Sequence, residues 1–218
     1  SCDAYTGLGW WDGEIRLLQD GQARSDGTLT SVVQLEHRAG ICVTDNSTLE
    51  ECNAGQCSRK GGLMAQFFYI KGVNSLRDFP DFDSLIPDTT RIDATVNYPS
   101  TRDAWPWGLA VANYFGGRWL GGIVISTEGE YTFATNSDDG SDVFIDGEMV
   151  VDNGGLHGMR TRTGAVTLTP GLHSVMLRYW EQAGGAGMIF YYTGPDSGGE
   201  KVIVPSEVLV PSEALGLR

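Results

Sequence analysis

The sequence predicts an all-β fold, an antiparallel β-sandwich, and three observations carry that reading. Short apolar stretches recur at even spacing with turn residues between them. Thirty glycines and eight prolines among 218 residues suit a turn-rich β protein better than a helical bundle. No long window carries the 3.6-residue period of an amphipathic helix, although Trp107–Phe115 leaves room for a helical turn or two.

The chain divides near residue 60. Residues 1–60 carry 5 basic and 9 acidic side chains and all four cysteines, Cys2, Cys42, Cys52 and Cys57. Turn clusters at Asp12-Gly13, Asp20-Gly21 and Asp26-Gly27 separate the strand candidates Glu14–Leu18 and Leu29–Leu35. An even, clustered cysteine set reads as two disulfides in an oxidising compartment. Three pairings are open. A zinc site would need paired short spacings, and only Cys52-x4-Cys57 is short. Asn46-Ser47-Thr48 is an N-glycosylation sequon. Residues 50–62 read as a Cys- and Gly-rich loop. The expected layout is a cystine-bearing N-terminal extension, 1–60, packed on a β-sandwich, 61–218. The opening Ser1-Cys2 reads as the start of a mature or excised segment.

The larger part reads as strand after strand. Leu63–Tyr69 opens it. Ile123–Ile125 is a buried-strand candidate, and Glu130–Thr135 alternates with Tyr131 and Phe133 on one face. Val143–Ile145, Asp146-Gly147 and Met149–Val151 spell a hairpin, because Asp-Gly supplies the positive φ of a type I′ turn. Ala165–Leu168 runs into the turn Thr169-Pro170-Gly171. His173, Val175, Leu177 and Tyr179 then share a face, which makes His173 a core or edge residue. Met188–Tyr192, Val202–Val204 and Val208–Val210 close the chain.

Charge narrows the partners. The net charge of −13 argues against binding a phosphate backbone and against docking on anionic membranes. No apolar run approaches a membrane span, so neither nucleic acid nor direct membrane insertion is expected. The balance suits cations and neutral ligands.

Several strings resemble the protective-antigen fourteen-kilodalton (PA-fourteen) domain family. Leu63-Met64-Ala65-Gln66-Phe67-Phe68-Tyr69 is similar to its opening strand. The specific match is Ser137-Asp138-Asp139-Gly140-Ser141-Asp142-Val143-Phe144-Ile145-Asp146-Gly147. It continues through Val150–Asn153, Leu168–His173 and Tyr179-Trp180-Glu181, and covers about residues 61–210. The resemblance implies a jelly-roll type sandwich. It further implies calcium-dependent sugar binding, with two adjacent aspartates joined by a cis peptide and a second loop completing the ion's shell.

The residues suit that chemistry on their own terms. Adjacent carboxylates such as Asp138 and Asp139 repel unless a cation sits between them. Calcium takes 6–8 hard oxygen ligands, so a second loop must contribute. Glu181–Gly187 is the candidate, since Gln182 offers an amide oxygen and its glycines let carbonyls approach closely. By resemblance, Gln182 fills the side-chain role, with carbonyls near Gly184 and Ala186. The plain alternative is a solvated Asp-Gly turn. Asp142 and Asp146 read as turn or edge residues. His157 sits either at the rim of a sugar site or as a loop histidine bonded to backbone. Trp105, Trp107, Trp119 and Trp180 suit either sugar stacking or core packing, and Trp10-Trp11 either an exposed patch or an anchor.

No His-Glu-x-x-His, Gly-x-Ser-x-Gly or phosphate-binding Gly-Lys loop occurs. Adjacent carboxylates lack the roughly 5–9 Å separation of glycoside hydrolysis. The expectation is therefore a non-enzymatic, calcium-dependent carbohydrate-binding module, a monomeric part of a larger extracellular or cell-surface protein. Its ligands would be glycans of fucose, mannose, glucose or galactose type. The alternatives are a structural or protein-interaction sandwich, or a noncatalytic module of a glycosidase.

Overall fold

The computed structural model describes residues 61–72, 77–105 and 111–212, together with five strands within residues 1–60. The chain forms two compact units, 1–60 and 61–218. In the first, β1 (Leu8–Trp11) pairs antiparallel with β2 (Glu14–Leu17). A second small sheet joins β3 (Ile41–Val43), β4 (Leu49–Asn53) and β5 (Gln56–Arg59). The loop expected over 50–62 is thus corrected to a hairpin. Asn53 pairs with Gln56, which leaves two residues for the turn. Cys2 and the candidate strand Leu29–Leu35 lie outside the described residues. So do the side chains of Cys42, Cys52, Cys57, Trp10 and Trp11.

The second unit is built from antiparallel strands; its only helical pieces among the described residues are short 3₁₀ turns. A seven-stranded sheet holds β6 (Leu63–Tyr69), β7 (Thr89–Asp93), β9 (Phe115–Ile125), β11 (Ser141–Ile145), β12 (Glu148–Asn153), β14 (Gly171–Glu181) and β17 (Leu209–Pro211). Its main path runs β12-β11-β14-β9-β6-β7, and β17 shares an edge of β9 with β6. The five-stranded sheet is β13-β10-β15-β16, with β8 also on β15. These strands are β8 (Asn97–Thr101), β10 (Gly129–Asp138), β13 (Arg160–Leu168), β15 (Ala186–Thr193) and β16 (Val202–Ile203).

Alternation along each strand sends one face inward. Phe67, Trp119, Ile123, Val143, Val175, Leu177 and Tyr179 meet Tyr131, Phe133, Met188, Phe190 and Tyr192 in one buried core. Trp105 stacks between Tyr98 and Tyr179, at 4.3 and 4.9 Å between ring centres. Trp105, Trp119 and Trp180 are all buried, so core packing claims each of them; Trp107 lies outside the described residues.

The Asp146-Gly147 hairpin forms with positive φ at both residues, 52° and 82°. Its strands are longer than the apolar runs that announce them. β13 begins at Arg160, ahead of Ala165, because it is an edge strand whose Arg160, Thr161, Arg162 and Thr163 face solvent wholly or in part.

Candidate metal and ligand site

The candidate site forms where β10 of one sheet ends beside the end of β14 of the other. Asp138 closes β10 opposite Gly187 of β15. Glu181 closes β14 opposite Phe115 of β9. The peptide bond between Asp138 and Asp139 is cis. Oxygens of Asp138, Asp139 and Glu181 lie within 4.8 Å of one another.

Asp139 is buried and held on all sides. Its Oδ1 accepts the His157 amide N–H at 3.0 Å, and its Oδ2 accepts the Gln182 amide N–H at 3.0 Å. Its own amide donates to Glu181 Oε2 at 3.1 Å. Asp138 is half-buried, and its carboxylate accepts no hydrogen bond among the described residues. Burial, then the charge of Asp139, push the Asp138 carboxyl above its usual range, against a smaller opposing pull from His157. Glu181 is fully buried and its Oε1 has no hydrogen-bond partner among the described residues. Burial, followed by the charges of Asp139 and Asp138, raises its carboxyl to about 8.

The later loop closes on this cluster. A Cβ on Gly185 would stand 2.9 Å from Asp138 Oδ2 and 3.2 Å from Ser100 Oγ, so a side chain there would have to push that carboxylate aside. Gly184 adopts φ 113° and donates its N–H to Asn113 Oδ1 at 3.2 Å. The Gln182 carbonyl accepts the Tyr114 N–H at 3.0 Å. Ala186 starts β15, and its carbonyl accepts the Trp105 indole N–H at 3.3 Å.

His157 contributes its backbone. Its ring nitrogens lie 2.9 Å from the carbonyls of Gly158 and Asn153, which matches the loop histidine bonded to backbone. The loop is anchored by Asn153, whose amide reaches Ser137 Oγ at 3.0 Å and the Arg160 carbonyl at 3.0 Å. Arg160 returns a bond to Asn153 Oδ1 at 2.9 Å and another to the Gly154 carbonyl at 2.8 Å. Leu156 and Met159 stand exposed beside His157.

The family model of the PA14 domain matches residues 95–205. The chain belongs to the PA14 domain family. Similar solved structures include the PA14 sugar-binding domain from an RTX adhesin: TM-score 0.60, 23% identity, 69% of this chain and 98% of that one. The Epithelial Adhesin 6 A domain from Candida glabrata, solved in complex with Galβ1-3GlcNAc, matches with a TM-score of 0.54 and 16% identity, over 74% and 92% of the two chains. An anti-sigma factor domain-containing protein gives a TM-score of 0.59 at 20% identity over 70% of this chain. The chain spans about half the length of the two such proteins it matches, 49% and 47%. No curated protein sequence matches it.

Within this PA14 domain, Asp138, Asp139 and the Gln182–Ala186 loop come together. Asp142 and Asp146 are engaged elsewhere. Asp142 is buried in an ion pair with Arg178 at 2.5 Å, and Asp146 pairs with His173 Nδ1 at 2.6 Å. Sequence reasoning missed Glu181 as a member of the cluster, naming it only as the start of the loop. Its signal was the two-residue period with Tyr179 and Leu177, which points a carboxyl inward. Among the described residues no helix is long and apolar enough to cross a membrane.

Proposed function

We propose that this PA14 domain binds carbohydrate through a divalent cation, calcium, held at Asp138 and Asp139. The observation that carries the reading is the crowding of Asp138, Asp139 and Glu181 with too few donors between them. Such a set is costly unless a positive charge joins it. The donors are hard carboxyl oxygens, which favour calcium or magnesium over softer metals. Gln182 and the carbonyls near Gly184 and Ala186 would complete the shell. A calcium ion, when bound, supplies open positions that the vicinal hydroxyls of a sugar can take. The Asp138 and Asp139 carboxylates can also accept hydrogen bonds from those hydroxyls, and the His157 loop with Leu156 and Met159 forms the rim.

Support comes from the fold shared with an adhesin domain described as sugar-binding and with one solved bound to a disaccharide. The reading makes the chain a noncatalytic, monomeric lectin or adhesin module, outside the cell or on its surface, with the four cysteines of residues 1–60 paired as disulfides. Glycans carrying fucose-, mannose-, glucose- or galactose-type units are the ligand class.

Calorimetry with calcium, followed by a glycan array with and without chelator, tests this. Asp138→Ala and Asp139→Asn are each expected to lose calcium and glycan binding together. Undiminished glycan binding by calcium-stripped protein would refute the calcium role. Absence of both activities in the wild-type chain would leave a structural or protein-interaction sandwich.

A further inference from the structure

The peptide unit joining Asp138 to Asp139 has two polar ends, and β14 holds both. Tyr179 Oη donates to the Asp138 carbonyl at 2.5 Å. The Asp139 N–H donates to Glu181 Oε2 at 3.1 Å, and Tyr179 Oη lies 3.3 Å from that same oxygen. Tyr179 and Glu181 are two residues apart on one strand, so the pleat sends both to the same face. Both are fully buried. Tyr179 is locked further by Trp105, stacked 4.9 Å away.

Core packing does not account for a carboxyl at position 181. An apolar side chain would avoid burying an oxygen that has no partner, and Glu181 Oε1 is such an oxygen. The hydrogen bonds of its Oε2 do account for it, because the Asp139 N–H would otherwise be stranded in the interior. The two carboxylates also differ in what fixes them. The Asp139 carboxylate is held by the His157 and Gln182 amides. That of Asp138 accepts no such donor, so its direction depends on the backbone from which it springs.

We infer that Tyr179 and Glu181 are positioning residues for the cation site: they clamp the C=O and the N–H of the peptide between the aspartates and thereby aim the Asp138 carboxylate at the point the Asp139 carboxylate already faces. The inference rests on the cation reading above. It assigns Glu181 the part of a hydrogen-bond acceptor, not of a ligand charge.

Calcium titration calorimetry on the whole chain tests it, with thermal melting of each variant in chelator to check the fold. Tyr179→Phe and Glu181→Leu are expected to weaken calcium binding about tenfold or more, as loss of one hydrogen bond with a stranded buried partner implies. Glu181→Gln keeps an oxygen acceptor and is expected to stay within about fivefold of wild type. Asp138→Asn serves as the comparator for loss of a ligand charge. If Glu181→Gln binds as poorly as Asp138→Asn, Glu181 acts through its charge and the inference is overturned. It is equally overturned if Tyr179→Phe and Glu181→Leu bind as wild type does. Should Glu181→Leu fail to fold, Tyr179→Phe, which removes a single oxygen, decides alone. A wild-type chain that takes up no calcium overturns the cation reading and this inference together.

Discussion

Adding one methyl group to Gly140 is the sharpest probe of how tightly the site is backed by the core. Gly140 follows the two aspartates and faces the indole of Trp180. A Cβ there would lie 2.4 Å from Trp180 Nε1 and 2.8 Å from Cε2. Non-bonded heavy atoms settle at about 3.5–4 Å, so the groups must part by roughly an ångström. Little can give. Trp180 is fully buried, with Phe79 edge-on at 6.5 Å. The Trp180 backbone amide also donates to the Gly140 carbonyl at 2.9 Å, tying the two backbones together. Overpacking of this kind costs about 1–3 kcal/mol. At about 2–4 °C per kcal/mol for a domain of this size, Gly140→Ala should melt roughly 2–12 °C below wild type. Urea unfolding followed by tryptophan fluorescence, with near-ultraviolet circular dichroism, measures it. A variant within about 0.5 kcal/mol of wild type, with an unchanged near-ultraviolet spectrum, would refute the reasoning.

Other consequences concern pairs and networks away from the aspartates. For His173, burial opposes the charge, but the Asp146 hydrogen bond, the Thr169 carbonyl and the Asp146 charge together outweigh it, so its pKa is raised; for Asp146, burial likewise opposes, but the His173 bond and charge and the Ser174 bonds together prevail, so its pKa is lowered. The His173 contribution is full below about pH 6.5 and fades as pH rises through its raised folded value; that of Asp146 is full above about pH 3.9 and fades as pH falls through its lowered one. Asp146→Asn should therefore destabilise more at about pH 5–6, where the charged His173 partner is lost as well, than near pH 9, where only the Ser174 bonds to Asp146 are weakened, as read by urea unfolding at both. Asn153→Ala removes the donor that reaches Ser137 and the Arg160 carbonyl and the acceptor of Arg160, and should cost about 2–4 kcal/mol while weakening calcium binding through the His157 loop. Arg178→Met leaves the buried Asp142 carboxylate unpaired and should cost about 2–4 kcal/mol in urea unfolding; adding Asp142→Leu should recover part of it.

What could be read from the sequence was local chemistry. The Asp146-Gly147 turn was legible because two adjacent residues of the right type set its backbone. Strands such as Leu63–Tyr69 and Ile123–Ile125 were legible because buried faces leave an apolar signature. β8 was not: Asn97-Tyr98-Pro99-Ser100-Thr101 has a proline at its centre and mostly exposed or half-exposed polar neighbours. β13 was half visible, since its first residues face solvent at a sheet edge. In the site, Asp138, Asp139 and the Gly-rich loop could be named from composition and from resemblance. For Glu181 only the inward face was legible, because its partnership with the Asp139 amide depends on where β10 of one sheet ends against β14 of the other. The His157 amide and the Asn153 anchor depend on the same non-local register.

Strand β14 carries the two ends of the molecule's chemistry apart. His173 sits near its start and Glu181 at its end, eight residues on. At about 3.3 Å per residue that is roughly 26 Å of extended chain. The Asp146-Gly147 tip, tied to His173, belongs to the far end, and the exposed side chains of Glu148 and Met149 follow it. That tip is therefore the natural handle for a dye, a biotin or a surface tether. A protein immobilised there would present its aspartate loops outward, open to whatever ligand is tested in solution.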